Sequence, residues 1–171
     1  MKKIAVLVEE GYQVLEVWYP YLRLREAGMH TVLVGTGKGV YKSKDGYPAQ
    51  EEAAIKDIKA IDFDAVVIPG GWAPDFLRRS SEVLSFVKTM HEAGKVVASI
   101  CHGGWVLASA GILPGKKVTS FSAIKDDMVH AGAEFIDQEV VVDHTLITSR
   151  NPYDLPAFCR EIIKSVGGSK G

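Results

Sequence analysis

Cys101 stands where a short buried strand is expected to turn sharply into a helix. The residues Lys95–Ile100 form a β-branched, apolar run typical of an interior strand, and Trp105–Ala108 continue as a helix that ends near Gly111. A thiol at such a turn, followed by paired glycines, has the arrangement of a nucleophile elbow with sulfur in place of oxygen. We expect a strained, exposed side chain, and the positive end of the following helix predicts a thiol that ionises readily. The alternative is an inert, buried cysteine.

Composition limits the classes of function. The chain has 171 residues and a formal net charge of −1, enough for one well-buried domain and too few for two ordinary ones. Without a basic block, nothing in the charge favours nucleic acid or an acidic membrane as a partner. The first apolar run ends at Glu9, too early for a signal core or a membrane span, so a cytoplasmic location is expected. The second cysteine, Cys159, is predicted to pack in the core of a C-terminal amphipathic helix, because two cysteines make no disulfide framework.

Strands and helices alternate along the sequence. The predicted strands cover residues 4–8, 31–35, 64–69, 95–100, 117–120, 139–143 and 146–149. The predicted helices cover residues 14–27 with a kink at Pro20, 80–91, 105–110, 123–131 and 153–166, and a β-excursion covers 38–47. This order predicts an α/β fold with a doubly wound, mostly parallel sheet covered by helices on both faces. We expect a single domain over 1–166 and a flexible tail over 167–171.

Three segments are expected to meet at one edge of this sheet. Cys101, the loop at Gly70 and Gly71, and the segment 9–16 each follow the carboxyl end of a predicted strand. Ligands of doubly wound sheets bind at that edge, at a switch point in the strand order. The sequence has no paired histidine spacing, no CxxC and no Walker spacing, so neither a metal nor a cofactor is expected.

Several motifs resemble the PfpI intracellular protease branch of the ThiJ/PfpI superfamily. The similarity is strongest at Ala98–Gly103, at Pro69–Asp75, and at Ile124–Met128 with Gly132. Shorter matches lie at Tyr19–Tyr21, Lys44, Gly46–Tyr47, Ser149–Arg150, Pro152 and Asp154–Leu155. The resemblance covers nearly the whole chain and implies a flavodoxin-like fold. The superfamily includes peptidases, cofactor-free glyoxalases, proteins credited with deglycase activity and chaperone-like stress proteins, all of which share the elbow cysteine.

The resemblance implies roles for three residues of a catalytic site. The family nucleophile falls on Cys101 and the adjacent histidine on His102. Because consecutive side chains diverge at a sharp turn, we expect His102 to act through water or substrate rather than on the sulfur. In the protease branch an acidic residue of a neighbouring subunit orients this histidine, and the matching position is Asp75, where the archetype has a glutamate. The alternative for Asp75 is a loop or helix-capping role.

The family also brings a glutamate of the first helix against the cysteine. Counting back from Pro20, this position is Glu16. Glu16 lies among apolar residues, so an ionised carboxylate would be costly if this position is buried. Burial should raise the pKa of Glu16 and let its protonated carboxyl donate to the Cys101 thiolate. The alternative is an exposed helix glutamate. Gln13 stands where a second acid is common in the family, which removes a charge from the mouth of the site.

The remaining site predictions concern the oxyanion hole and the walls. The backbone N–H groups of Gly71 and His102 are the candidate oxyanion hole, one from a glycine loop and one after the nucleophile. The residues predicted to form the walls of the substrate pocket are Lys44, Trp72, Trp105 and Phe121. Phe121 stands where the archetypal protease has a tyrosine, so a step that needs that hydroxyl is lost.

These residues predict a cysteine-dependent hydrolase, a peptidase or amidase whose Cys101 thiolate attacks a carbonyl of small peptides while His102 and Asp75 handle protons. An alternative is a glutathione-independent glyoxalase or a protein deglycase, in which the thiolate adds to reactive aldehydes such as methylglyoxal and Glu16 shuttles the proton. A third interpretation is a non-catalytic stress protein whose Cys101 senses oxidation. A glutamine amidotransferase also uses a cysteine elbow, but it needs a downstream His-x-Glu pair that the sequence lacks.

The resemblance finally implies a homo-oligomer, a dimer or a hexamer, with Asp75 acting across a subunit interface. Trp72–Pro74 and the region Tyr19–Tyr21 are predicted as its exposed contacts.

Overall fold

A seven-stranded sheet lies at the centre of the computed structural model, which describes residues 1–167. Along these residues the strands are β1 (Lys3–Leu7), β2 (His30–Gly35), β3 (Val40–Lys42), β4 (Pro48–Gln50), β5 (Ala53–Ala54), β6 (Ala65–Ile68), β7 (Val96–Ile100), β8 (Lys117–Val118), β9 (Glu134–Phe135), β10 (Val141–Asp143) and β11 (Leu146–Ser149). Strands β3 and β4 form an antiparallel pair outside the central sheet, and β8 and β9 form a parallel one.

Six α-helices lie within the described residues. They are α1 (Val14–Glu26), α2 (Ala73–Leu77), α3 (Ser81–Glu92), α4 (Gly104–Ser109), α5 (Lys125–His130) and α6 (Leu155–Gly167). Two of them, α1 and α3, begin after a residue whose side chain accepts backbone N–H groups of the first turn. Gln13 caps α1 by accepting the N–H groups of Leu15 and Glu16, and Ser80 caps α3 by accepting the N–H of Val83. None of the helices within 1–167 has both the length and the apolar composition needed to cross a bilayer.

The order of strands in the central sheet is β10-β11-β7-β6-β1-β2-β5. Neighbouring strands are parallel, except for the antiparallel pair of β10 and β11. The chain passes from β1 to β2 on one side and returns to β6 on the other, so the strand order reverses between β1 and β6. The predicted flavodoxin-like, doubly wound fold is therefore confirmed, and its switch point lies between these two strands.

Helices cover the sheet in two groups. Helix α1 packs with α6, while α3 packs with α4, which also contacts α2 and α5. The inner strands β1, β6 and β7 are buried almost throughout, as expected for parallel strands covered on both faces. One hydrophobic core cluster runs from Ile4 to Val166 and includes the second cysteine, Cys159, as predicted.

Several predicted boundaries change in the structure. Helix α1 continues through Pro20 and ends at Glu26, one residue earlier than predicted. Helix α2, which was not predicted, begins at Ala73, shortly after the predicted glycine loop. The helix predicted at 123–131 is a 3₁₀ turn, Ser122–Ile124, followed by α5. Gly167, predicted as tail, belongs to α6. The rest of that tail, 168–171, lies outside the described residues.

The predicted contact residues for an oligomer differ in their exposure. Trp72 is 65% exposed and Tyr19 is 37% exposed. Ala73 and Pro74 are buried in α2, and Pro20 and Tyr21 are buried in α1, because these helices direct the four side chains toward the protein interior. The prediction that all six of these residues are exposed is therefore wrong for four of them, and the oligomer itself stays a prediction.

Candidate active site

The backbone at Cys101 has the strained geometry of an elbow. Its φ is +60°, in a left-handed region that residues with a Cβ rarely adopt. Strand β7 ends at Ile100 and a 3₁₀ turn, Cys101–Gly103, begins immediately. A Cβ at Gly103 would lie 2.8 Å from the carbonyl oxygen of Ile68, so the turn can pack against β6 only with glycine there. The predicted elbow is present in the structure.

The glycine loop after β6 brings backbone atoms directly against the sulfur. A Cβ at Gly70 would lie 2.7 Å from Cys101 Cβ and 2.9 Å from Glu16 Oε2. Gly71 has a φ of +73°, and a Cβ there would lie 2.4 Å from the backbone nitrogen of Gln13. Both positions therefore need glycine: Gly70 for the close approach, and Gly71 for the close approach and for its positive φ.

Two backbone N–H groups converge on Cys101. The N–H groups of Gly71 and His102 both hydrogen-bond toward the sulfur, and each of them lowers its pKa. These are the two groups predicted for the oxyanion hole. Their convergence on the nucleophile fits the position where the oxygen of a bound carbonyl would be stabilised, and that role stays a prediction.

Glu16 is buried beside this sulfur, at the position that the family resemblance implied. Its side chain is 0% exposed, and Oε2 accepts the N–H of Gly70 at 3.2 Å. Oε1 is buried without a hydrogen-bond partner among the described residues. Burial raises the pKa of Glu16 to about 7, against the lowering effects of the Cys101 thiol, the Gly70 N–H and the Lys44 charge. Near neutral pH this carboxyl can therefore both accept and donate a proton.

The expectation of an exposed, readily ionised thiol is wrong for this structure. Cys101 is 7% exposed, and burial followed by the negative charge of Glu16 raises its pKa to about 12. The helix expected to stabilise the thiolate is a short 3₁₀ turn followed by the six-residue α4, whose dipole is weak against that desolvation. The ground state is thus a neutral thiol beside a carboxyl group that can accept its proton.

His102 contacts the sulfur directly, which corrects the expectation that the two side chains diverge. Nδ1 of His102 lies 3.3 Å from Cys101 Sγ. The imidazole stacks on Phe121, with ring centroids 5.0 Å apart, and meets the edge of Trp105 at 5.3 Å. Burial and the Lys44 charge lower its pKa, so the ring is neutral at pH 7. The positive φ of Cys101 explains the contact, because it rotates the sulfur back toward the following residue.

Asp75 does not contact His102 within this chain. Its carboxylate pairs with Arg79, one turn further on. The residue lies in the first turn of α2 and lines the same cavity as Cys101. Its predicted action on the histidine of a neighbouring subunit stays a prediction.

A cavity of about 560 Å³ opens over the elbow. All of the predicted site residues line it, together with four that were not predicted as walls: Gln13, Phe76, Asn151 and Pro152. Asn151 follows β11 at the carboxyl edge of the sheet, a position that could have indicated it, whereas nothing in the sequence distinguishes Phe76. Within residues 1–167, no three His, Cys, Asp or Glu side chains are grouped as metal ligands would be.

Fold and site together define a flavodoxin-like α/β protein with a cysteine elbow at the switch point. The model of the DJ-1/PfpI family matches residues 2–165. The chain belongs to the DJ-1/PfpI family, and the resemblance inferred from the motifs is confirmed.

Similar proteins carry different names. A deglycase of Pyrococcus abyssi is 44% identical over 163 residues, which cover 95% of this chain and 98% of the relative. YraA of Bacillus subtilis, whose name proposes a cysteine protease, is 43% identical over 94% of this chain and 95% of its own. Among solved structures, a two-domain protein of Anabaena variabilis with DJ-1/ThiJ/PfpI-like and ferritin-like domains has a TM-score of 0.96 and 41% identity. That match covers 99% of this chain, which spans about half of the two-domain protein, 49%.

Proposed function

We propose that this chain is a cysteine-dependent enzyme that processes reactive α-oxo-aldehydes and their adducts with amines, a glyoxalase or deglycase activity. The observation that carries the proposal is Glu16, buried against Cys101 with a pKa of about 7. Chemistry of this kind needs one group that removes and returns a proton at neighbouring carbons, and a carboxyl of such pKa suits that task. The name of the Pyrococcus abyssi relative is consistent with it.

The first step forms a bond between the sulfur and the aldehyde carbon. Cys101 Sγ attacks, its proton passes to the Glu16 carboxylate, and the N–H groups of Gly71 and His102 stabilise the alkoxide oxygen. Glu16 then returns the proton to that oxygen and leaves a hemithioacetal. If the aldehyde is already bound to an amine as a carbinolamine, the sulfur displaces the amine and gives the same hemithioacetal.

The second step moves a proton between adjacent carbons. The Glu16 carboxylate removes the hydrogen from the sulfur-bearing carbon, and the electron pair flows to the neighbouring carbonyl oxygen as an enediolate. Protonated Glu16 then delivers the proton to the second carbon and gives a 2-hydroxy thioester. Water hydrolyses this thioester to a 2-hydroxy acid and the free thiol, so that methylglyoxal and water yield lactate.

Hydrolysis of peptides or amides is the second candidate, and the contact between His102 and Cys101 favours it. A neutral imidazole 3.3 Å from the sulfur can accept the thiol proton during attack on an amide carbonyl. The acid that would orient this imidazole is not supplied by the same chain, where Asp75 pairs with Arg79. The name of YraA is consistent with this candidate. The aldehyde activity also gives the buried Glu16 carboxyl a role as proton carrier, and we therefore rank it before hydrolysis.

Parallel kinetics on two substrates test the proposal. Lactate formed from methylglyoxal and hydrolysis of a fluorogenic peptide are measured for the wild type, Cys101→Ala and Glu16→Gln. We expect lactate formation to require Cys101 and to fall about a hundredfold in Glu16→Gln, because a positioned proton carrier typically contributes this much. Lactate formation that survives Glu16→Gln at the wild-type rate, or peptide hydrolysis that is faster than aldehyde turnover, would overturn it.

A further inference from the structure

The two amide side chains in the cavity have their oxygen atoms occupied. Gln13 Oε1 accepts the N–H groups of Leu15 and Glu16 at 2.7 and 3.1 Å. Asn151 Oδ1 accepts the N–H of Tyr153 at 3.0 Å. A primary amide has one oxygen acceptor and one NH₂ donor group. Since both residues line the cavity, what each of them retains for a ligand is its pair of N–H donors.

The two carboxyl groups in the cavity are engaged in a similar way. Arg79 binds the Asp75 carboxylate, and Glu16 Oε2 accepts the N–H of Gly70. Glu16 Oε1 is the exception, because it is buried without a partner among the described residues, and it belongs to the proton carrier beside the sulfur. Every negative charge on a side chain that lines the cavity therefore has a partner, except at Glu16 beside the reacting sulfur.

Lys44 supplies a positive charge to the same cavity. No carboxylate of residues 1–167 lies within 4.0 Å of its ammonium group as an ion-pair partner. Its charge is felt inside the cavity, since it acts on both Glu16 and His102. The lining thus combines one uncompensated cation with several hydrogen-bond donors.

We infer that the cavity binds aldehydes that carry a carboxylate next to the aldehyde carbon, and that Lys44 and the N–H donors of Gln13 and Asn151 receive this carboxylate. Such aldehydes are reversible inhibitors at Cys101 and not substrates. Charged hydrogen bonds to a carboxylate are stronger than those to a neutral oxygen, and a cationic ligand would find no unpaired side-chain carboxylate in the lining away from Glu16. The inference rests on the proposed function, because addition of Cys101 to the aldehyde holds the ligand in place.

Two small aldehydes share the same reactive group and differ in charge, so their comparison measures the effect of the carboxylate alone. Glyoxylate carries a carboxylate on the aldehyde carbon, and glyoxylamide has the same skeleton with a neutral amide. Each adds reversibly to the thiol: the S–C bond forms, the thiol proton ends on the carbonyl oxygen, and nothing leaves. Their second carbon is already at the oxidation level of an acid, so neither is converted further and binding is measured without turnover.

The experiment measures protection of Cys101 from iodoacetamide by each aldehyde, followed by intact-protein mass spectrometry. We expect Lys44→Gln to weaken the binding of glyoxylate roughly tenfold more than the binding of glyoxylamide, because one partly solvated charge pair is lost. Lys44→Arg should retain the preference for glyoxylate. Effects of the substitution on the pKa of Glu16 or His102 change both aldehydes alike and cancel in this ratio. The glyoxylate preference should also shrink as salt is added.

Asn151→Asp gives a second, nearly isosteric test. Aspartate can still accept the N–H of Tyr153, but it replaces the NH₂ donor by an anionic oxygen. The substitution should therefore weaken the binding of glyoxylate more than the binding of glyoxylamide. If Lys44→Gln and Asn151→Asp change both aldehydes equally, the inference is wrong while the proposed function stands. If neither aldehyde protects Cys101 of the wild type at any concentration, the proposed function fails as well.

Discussion

The two cysteines of this chain make an instructive pair. Both are buried, and burial raises the pKa of each to about 12. Cys159 lies within α6 among core side chains and is 1% exposed. Cys101 is 7% exposed and lies on the floor of a cavity, at a backbone φ of +60°. Their titration is therefore alike, and their surroundings are not.

This difference shows that the resting ionisation of a buried thiol does not identify a nucleophile. Cys101 has a carboxyl with a pKa of about 7, an imidazole at 3.3 Å and two backbone N–H groups directed at its sulfur. For Cys159, the charged group that affects the pKa is Arg23. A neutral thiol reacts when a base takes its proton as the bond forms, and among the two cysteines only Cys101 has such a base beside it.

The largest expected difference between the two cysteines is in turnover. Cys101→Ala should lower lactate formation from methylglyoxal by at least about a thousandfold, because the bond-forming atom is removed. Cys159→Ala should retain turnover within about twofold and lower the free energy of unfolding by roughly 1 kcal/mol through a small core cavity. Steady-state kinetics and urea unfolding of both variants measure this. If Cys101→Ala and Cys159→Ala lose turnover equally while their stabilities are alike, the two cysteines do not differ in catalytic importance.

Glu16, the neighbour that Cys159 lacks, should give the protein a pH-dependent stability. Its pKa of about 7 in the folded protein lies above the ordinary value of 4.5 for a glutamate. Between these values the unfolded chain loses the proton and the folded one keeps it, so the contribution is full below pH 4.5 and is lost as pH rises through 7. The loss amounts to about 3 kcal/mol at 1.36 kcal/mol per pH unit. Urea unfolding from pH 4 to pH 8 should show this fall in the wild type and not in Glu16→Gln.

A matched control for that measurement is Glu26→Gln, on the same helix but exposed. It should leave the fall in stability unchanged. If Glu16→Gln retains the full fall between pH 4.5 and 7, the carboxyl beside the sulfur is not the group that titrates.

A smaller effect is expected from the aromatic residues that hold His102. Phe121 stacks on the imidazole, and its N–H donates to the carbonyl oxygen of Cys101 at 3.2 Å. Phe121→Leu should lower kcat roughly five- to tenfold, the value of one aromatic pair, and broaden the pH profile of kcat, whereas Phe121→Tyr should restore both. A change confined to KM would show that Phe121 only binds substrate.

The smallest effect is expected at Asp75. Because Arg79 already binds its carboxylate, Asp75→Asn should change kcat by less than about threefold at any protein concentration, as for an exposed ion pair. Turnover measured over a dilution series checks this. A large loss that deepens on dilution would instead assign Asp75 to the histidine of a neighbouring subunit.

The alternation of elements, the elbow and the site edge could be predicted because each depends on local sequence. An apolar β-branched run before Cys101 and glycines after it are sufficient to expect a strand followed by a tight turn. The position of Glu16 beside the cysteine was implied by the family resemblance and not by the local pattern, in which the apolar neighbour Leu15 is 51% exposed. The direct contact of His102 with the sulfur was missed, because it depends on the φ of one residue, which sequence patterns do not specify.

The sequence by itself determined the doubly wound sheet, the cysteine at its switch point and the family to which the chain belongs. Only the tertiary structure decided that the thiol is neutral at rest, that Asp75 faces Arg79, and that the cavity presents donors together with the Lys44 charge. The physical reason is that desolvation and charge depend on which distant segments pack together. Gly70 and Glu16, for instance, lie 54 residues apart and meet at the same sulfur.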